Sequence, residues 1–163
     1  MSQLERNAYF AAPLFSDSET RFNASLTERL ERELGLNVFL PQRDGMEFAR
    51  MQHMTPQEMT QAIFELDHDE VFASDIFVIV LDGRVPDEGA ALELGLAYAH
   101  RELTGKKRMI VGLLTDVRAS FINQQLNPML EAPLDYIARG ENELIEYVKK
   151  HIDTSPQTHS ISH

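Results

Sequence analysis

The chain has 163 residues, 43% of them hydrophobic, which suits one domain with a core of its own. A formal net charge of −11 argues against a nucleic-acid partner, and the absence of cysteine excludes disulfides, thiolate metal sites and thiol nucleophiles. Met1 to Asn7 has neither a basic nor an apolar signal region and no apolar run approaches the roughly 20 residues of a membrane span, so no membrane partner is expected and a cytoplasmic location is the default.

Short apolar runs alternate with longer stretches of helical period, the pattern of a doubly wound α/β protein with about five parallel strands. The first strand is expected near Ala8–Ala11. A helix follows, capped by Asp17 or Ser18, with Phe22, Leu26, Leu30 and Leu34 at helical spacing and Gly35 at its end. The second strand, Asn37–Leu40, leads into a polar loop, Pro41-Gln42-Arg43-Asp44-Gly45, and Met46 to Met54 has no period and reads as a lid.

Thr55-Pro56-Gln57-Glu58 carries a cap and a proline in the first helical position. The helix it opens continues through Ile63, Phe64, Val71 and Phe72, with a break expected at Asp67-His68-Asp69-Glu70. The third strand, Ile76–Leu81, is followed by a glycine and proline loop and a helix from Glu88 to Leu103, ended by Thr104-Gly105. In that helix Leu92, Leu96 and Ala99 form an apolar stripe, and its alanines and glycines predict close packing on the sheet.

The fourth strand is expected at Arg108–Leu113, with Lys106-Lys107-Arg108 at its start, and a weak fifth at Asp135–Ile137. Thr115 to Leu126 is a short helix or an ordered loop. A helix from Asn142 to Ile152 closes a single domain, residues 1–152, and 153–163 reads as a polar tail.

In an open parallel sheet, ligands sit beyond the carboxyl ends of the strands. Those ends deliver Tyr9 with Ala11-Ala12-Pro13-Leu14-Phe15, then Pro41 to Asp44, then Asp82 to Gly89 with Glu93, and a segment leading to Asn127. Glu93 stands out, because a carboxylate among small apolar residues needs a partner or a task. The six histidines form no ligand pair, so no metal is expected, and Gly83, Gly89 and Gly95 do not make a dinucleotide fingerprint, so no cofactor is called for.

Tyr9-Phe10-Ala11-Ala12-Pro13-Leu14-Phe15-Ser16, Phe39-Leu40-Pro41-Gln42-Arg43-Asp44-Gly45, Ser74-Asp75, Pro86-Asp87-Glu88-Gly89, Glu93-Leu94-Gly95, Ala97-Tyr98-Ala99 and Asn127-Pro128-Met129-Leu130 occur in one order. Together they resemble the nucleoside 2-deoxyribosyltransferase family from about Tyr9 to Leu130. The resemblance implies a flavodoxin-like fold and a double displacement at the anomeric carbon of a 2-deoxynucleoside, with free nucleobases as the other substrates. By motif position it implies Glu93 as nucleophile, Tyr9 as the phenol orienting it, Asp67 as the acid facing the base and Asp87 as the acid gripping the sugar hydroxyls. Gly89, Phe15, Gln42 and Asp44 would be further substrate contacts. Asn127 matches an asparagine that the family donates to a neighbouring subunit's site, which implies a homo-oligomer built from dimers. Relatives that hydrolyse nucleoside monophosphates favour a small hydroxyl residue where this chain has Asp87, although Arg84 lies close by in sequence.

Each residue also has a plainer reading. Glu93 can be a paired helix acid, Tyr9 a packed strand end, Asp67 a surface acid, Asp87 a helix cap and Asn127 a turn former. If Glu93 reacts, it has to stay ionised, which a bond from Tyr9 and the positive end of its helix would favour. Glycoside hydrolysis at the same site, or nucleoside binding without chemistry, are the alternatives.

Overall fold

The computed structural model describes residues 6–46, 48–117 and 126–154. The elements are β1 (Arg6–Ala11), α1 (Asp17–Leu34), β2 (Leu36–Phe39), α2 (Pro41–Asp44), α3 (Phe48–Met51), α4 (Pro56–Ala73), β3 (Ile76–Val80), α5 (Glu88–Thr104), β4 (Met109–Leu113), α6 (Pro128–Glu131), β5 (Tyr136–Ala138) and α7 (Glu141–Thr154). The five strands pair in parallel in the order β2-β1-β3-β4-β5. Strand order reverses between β1 and β3, so the ligand crevice of this doubly wound, flavodoxin-type topology belongs at their carboxyl ends.

Period-two alternation sends side chains to two cores. Ala8, Phe10, Val38, Ile76, Val78, Val111 and Leu113 pack under Leu26 and Leu30 of α1 and Leu144, Ile145 and Val148 of α7. Tyr9, Ala11, Phe77, Ile79 and Ile110 face the other way, under Val71 of α4 and Ala90, Leu94 and Ala97 of α5. All five residues of β3 are buried, as its uninterrupted apolar run requires of a central strand.

Several expectations shift. α1 is capped by Ser16, whose side chain accepts from Glu19 N–H while Glu19 returns the bond to Ser16 N–H, because a full capping box outcompetes the lone caps at Asp17 or Ser18. Pro41 to Asp44 is one helical turn, not an open loop: Pro41 takes the first helical position and Asp44 Oδ2 accepts from Leu40 N–H. The run Asp67-His68-Asp69-Glu70 does not break α4. His68 lies among Phe64 and Phe72, one turn to either side, with centroids 5.9 and 4.1 Å away, and Phe72 stacks at 4.2 Å on His100 of α5. Those contacts hold the polar segment helical.

Of the stripe Leu92, Leu96, Ala99, only Leu96 packs inward, partly buried against the core that Ala90, Leu94 and Ala97 enter; Ala99 is exposed, and Leu92 is left 57% and Leu103 86% exposed. α7 takes in Asp153 and Thr154, the first residues of the expected tail; 155–163 and most of the stretch from Thr115 to Leu126 lie outside the described residues.

Two cations of the basic run before β4, Lys106 and Arg108, are structural. Arg108, buried, donates to Ser74 O, Ala97 O and Phe72 O at 3.0, 2.8 and 2.8 Å, and Lys106 Nζ donates to Phe72 O and Ala73 O at 3.0 and 2.7 Å. The open carbonyls at the end of α4 thus meet two cations, where the helix dipole is negative, and Ala97 O ties α5 to the same guanidinium. Desolvation holds the Arg108 pKa below its ordinary value, yet a guanidinium stays charged there.

Arg108→Met should therefore leave Ser74 O without its donor, remove a second donor from Phe72 O and Ala97 O, and lower the unfolding free energy by about 2 kcal/mol, read from the urea midpoint. A midpoint unchanged from the parent would mean that α4 and α5 are held together without it.

Candidate active site

Tyr9 lies two residues before the end of β1, at the face that carries α4 and α5. It is fully buried, and its Oη donates to Glu93 Oε1 at 2.8 Å. Burial and the charges of Glu93 and Asp67 push the Tyr9 phenol far above its ordinary pKa, so it stays a proton donor throughout the neutral range. Glu93 is reached from α5, where it follows the sheet-facing Ala90 by three residues and precedes Leu94.

Burial raises the Glu93 pKa to about 7; the Tyr9 bond opposes this, and the charges of Asp67 and Asp87 add to it. The help expected from the helix dipole is small, because α5 begins at Glu88 and Glu93 sits beyond its first turn. Asp67, half-buried on α4, is raised to about 6 by burial first and by Glu70 next.

Asp87 caps α5: its Oδ1 accepts from Ala90 N–H at 2.9 Å, which leaves its second oxygen for a ligand. A Cβ on Gly89 would lie 3.1 Å from that same Oδ1, so the glycine lets the cap close. Asp82, at the end of β3, accepts from Thr115 N–H at 2.6 Å, Thr115 Oγ1 at 2.5 Å and Asp116 N–H at 2.9 Å, tying the loops after β3 and β4 together.

The structure thus gathers Tyr9, Glu93, Asp67 and Asp87, whose charges or hydrogen bonds reach one another. The remaining predicted contacts are held by local partners. Gln42 donates to Thr20 O at 2.7 Å and accepts from Asn23 Nδ2 at 3.0 Å; Asp44 pairs with Arg43 at 2.8 Å. Phe15 is 82% exposed, its N–H held by Glu19. Asn127 is exposed and accepts from Met129 N–H at 2.9 Å, capping α6.

Sequence reasoning missed Phe39 and Phe77, which flank the Tyr9 ring, and Glu70, which acts on Asp67 and Tyr9. Glu70 was reachable, since it stands three residues after Asp67 on a helix. The flanking phenylalanines depend on strand register. Among the described residues no group of three or more His, Asp or Glu could hold a metal ion, and no helix is long and apolar enough to cross a membrane.

A family model described as nucleoside 2-deoxyribosyltransferase matches residues 8–141. Among solved structures, a conserved protein from Enterococcus faecalis V583 is 27% identical, over 91% of this chain and 99% of that one, with a TM-score of 0.72. A 2-deoxyribosyltransferase from the psychrotolerant bacterium Bacillus psychrosaccharolyticus is 21% identical over 86% of this chain and 91% of that one, TM-score 0.68. A CMP N-glycosidase from Clostridium botulinum is 19% identical over 88% and 98%, TM-score 0.53. At those identities the last two speak to the fold alone. No curated protein matches.

The raised Glu93 pKa makes a signed prediction about stability. Between its ordinary value of 4.5 and about 7 the folded chain binds more of this proton than the unfolded chain, so Glu93 lowers stability as pH rises through that window. Glu93→Gln removes the titration. Its advantage over the parent should grow by about 1 kcal/mol between pH 5 and pH 8, discounted for the partial exposure of the group. Thermal melts at both pH values check this, and a pH-independent difference would contradict a raised value.

Proposed function

The chain belongs to the nucleoside 2-deoxyribosyltransferase family, and on that premise we propose that it moves 2-deoxyribose between nucleobases through a covalent intermediate on Glu93. The observation that carries this reading is the Tyr9–Glu93 bond of 2.8 Å beside Asp67. It gives one carboxylate a fixed orientation and sets a second acid nearby with a different proton affinity, which is how two carboxyls divide nucleophilic and acid work.

In this reading a Glu93 oxygen attacks the anomeric carbon of the bound deoxynucleoside. The carbon–nitrogen bond breaks, its electron pair leaves with the base, and Asp67 supplies the proton that makes the base a tolerable leaving group. The incoming base then attacks the same carbon, the ester bond to Glu93 breaks, and Asp67 takes the proton back. A 2-deoxy sugar suits this path because it lacks the electron-withdrawing hydroxyl that would oppose the oxocarbenium-like transition state.

Asp87 fits a sugar hydroxyl through the oxygen that does not cap α5, and an acid at that point repels a phosphate dianion. This favours free nucleosides over monophosphates. Phe15, Gln42, Asp44 and Gly89 complete the proposed contacts. A second reading, N-glycoside hydrolysis, is supported by Glu93 itself being only half-buried, which leaves a path for water to the same intermediate.

The proposal extends to a homo-oligomer in which Asn127 serves the neighbouring site. Its support is the pair of leucines that α5 leaves exposed, Leu92 at 57% and Leu103 at 86%, three turns apart on one helix face.

Incubation with deoxyinosine and adenine tests the activity. Deoxyadenosine is expected, and Glu93→Ala should reduce its formation by about three orders of magnitude or more while the fold persists. Free deoxyribose with no deoxyadenosine would establish hydrolysis instead, and full activity in the alanine variant would remove the mechanism. Sedimentation velocity tests the assembly: a dimer or larger species is expected, converted to a lighter one by Leu103→Glu. A parent chain that sediments as a monomer would overturn it.

A further inference from the structure

The phenol that bonds Glu93 is held from both sides. Tyr9 is in register with Phe39 of β2 and with Phe77 of β3. Its ring stacks on Phe39 at a centroid distance of 5.5 Å and an interplanar angle of 17°, and on Phe77 at 5.7 Å and 3°. Neighbouring parallel strands stand about 4.8 Å apart, so rings at one register position form a row of nearly parallel planes across the sheet. The terminal torsion of a tyrosine is broad when its ring is free. Between two rings it is not, because turning the Tyr9 plane drives its edge into a neighbour.

The geometry points to Phe39 and Phe77 as positioning residues for Glu93: by fixing the plane of the Tyr9 ring they keep its hydroxyl in line with Glu93 Oε1 and leave the other carboxylate oxygen for the substrate. Phe77 is fully buried in the core, whereas Phe39 ends the edge strand and is half-buried, so Phe39 can be changed with the fold intact. The inference rests on Glu93 as nucleophile for its kinetic consequence only; the constraint on Tyr9 is a matter of packing.

A tilted phenol would weaken the one hydrogen bond that favours the ionised form of Glu93. The other groups that face this pair are Asp67 and Glu70 from α4 and Asp87 from the cap of α5. All three are acids, so none replaces the lost donor. Loss of the bond therefore moves Glu93 toward its protonated, unreactive form.

The test compares Phe39→Leu, which keeps apolar bulk and removes the plane, with Phe39→Tyr, which keeps the plane and lets its hydroxyl reach water. In the full chain, the Glu93 carboxyl is titrated by NMR after carbon labelling of glutamate, its resonance identified by Glu93→Gln, and kcat and KM for base exchange are measured across pH. Phe39→Leu should raise the Glu93 proton affinity about threefold to tenfold, move the acid limb of kcat upward with it, and lower kcat about tenfold with KM within about twofold. Phe39→Tyr should restore both, and Phe39→Leu added to Tyr9→Phe should shift Glu93 no further.

An unchanged titration in Phe39→Leu, or a shift that adds in full to that of Tyr9→Phe, would overturn the inference. A titration that shifts as expected while Glu93→Gln still exchanges bases would leave the positioning intact and remove Glu93 as nucleophile, so the two readings fail separately.

Discussion

A carboxylate pressed against a parallel sheet is unfavourable, and the bond from Tyr9 is what makes Glu93 tolerable there. Burial pushes its pKa up to about 7, with two nearby acids pushing the same way, and the phenol is the group that pulls against them. A phenol suits the task better than a cation would. It donates one directed hydrogen bond without neutralising the carboxylate, so the acid keeps its reactivity, and its own raised pKa prevents it from giving up the proton it donates. The bond spans β1 and α5, so its 2.8 Å length depends on how the helix sits on the strand.

Most of the second core serves that placement. Ala90, Leu94 and Ala97 bring α5 close to the sheet because two of the three are small. Phe72 stacks on His100 at 4.2 Å, and Arg108 joins the end of α4 to the middle of α5 through main-chain carbonyls. These contacts set the distance between the two helices, and with it the separation of Asp67 from Glu93. Lys106 and Arg108 are therefore part of the scaffold for acids some distance away. The acids Asp67 and Asp87, whose charges act on Glu93, make the site electrostatically unfavourable to anions.

The sheet was legible because its signal is local. Ile76 to Val80 is a continuous apolar run, and only a central buried strand has room for one. Glu93 was legible for the opposite reason, as a polar residue in small apolar surroundings. α4 misled because its acids look like a break, whereas the ring contacts of His68 that keep it helical come from residues four positions away on either side and are visible only once a helix is assumed. α5 was legible in part: small residues do bring it close to the sheet, at Ala90 and Ala97, and Leu96 of the stripe is partly buried there, but Leu92 and Ala99 stay exposed. Register was out of reach altogether: nothing in the separate sequences of β1, β2 and β3 says that Tyr9, Phe39 and Phe77 align.

The same alignment bears on transfer against hydrolysis. In the proposed mechanism both begin with the same attack by Glu93, and they part only when water or a base reaches the intermediate. A carboxylate whose orientation is set from beneath, by a fully buried phenol between two rings, does not need a water molecule to hold its second oxygen. On the proposed reading substrate would occupy that side of Glu93 without first displacing an ordered solvent network, and a base held over the sugar would cover the approach that water uses. Under that proposal selectivity for transfer would follow from occupancy of the base subsite more than from the chemistry of Glu93, with its determinants in the loops after β1, β2 and β3 and the Tyr9–Glu93 pair common to either outcome.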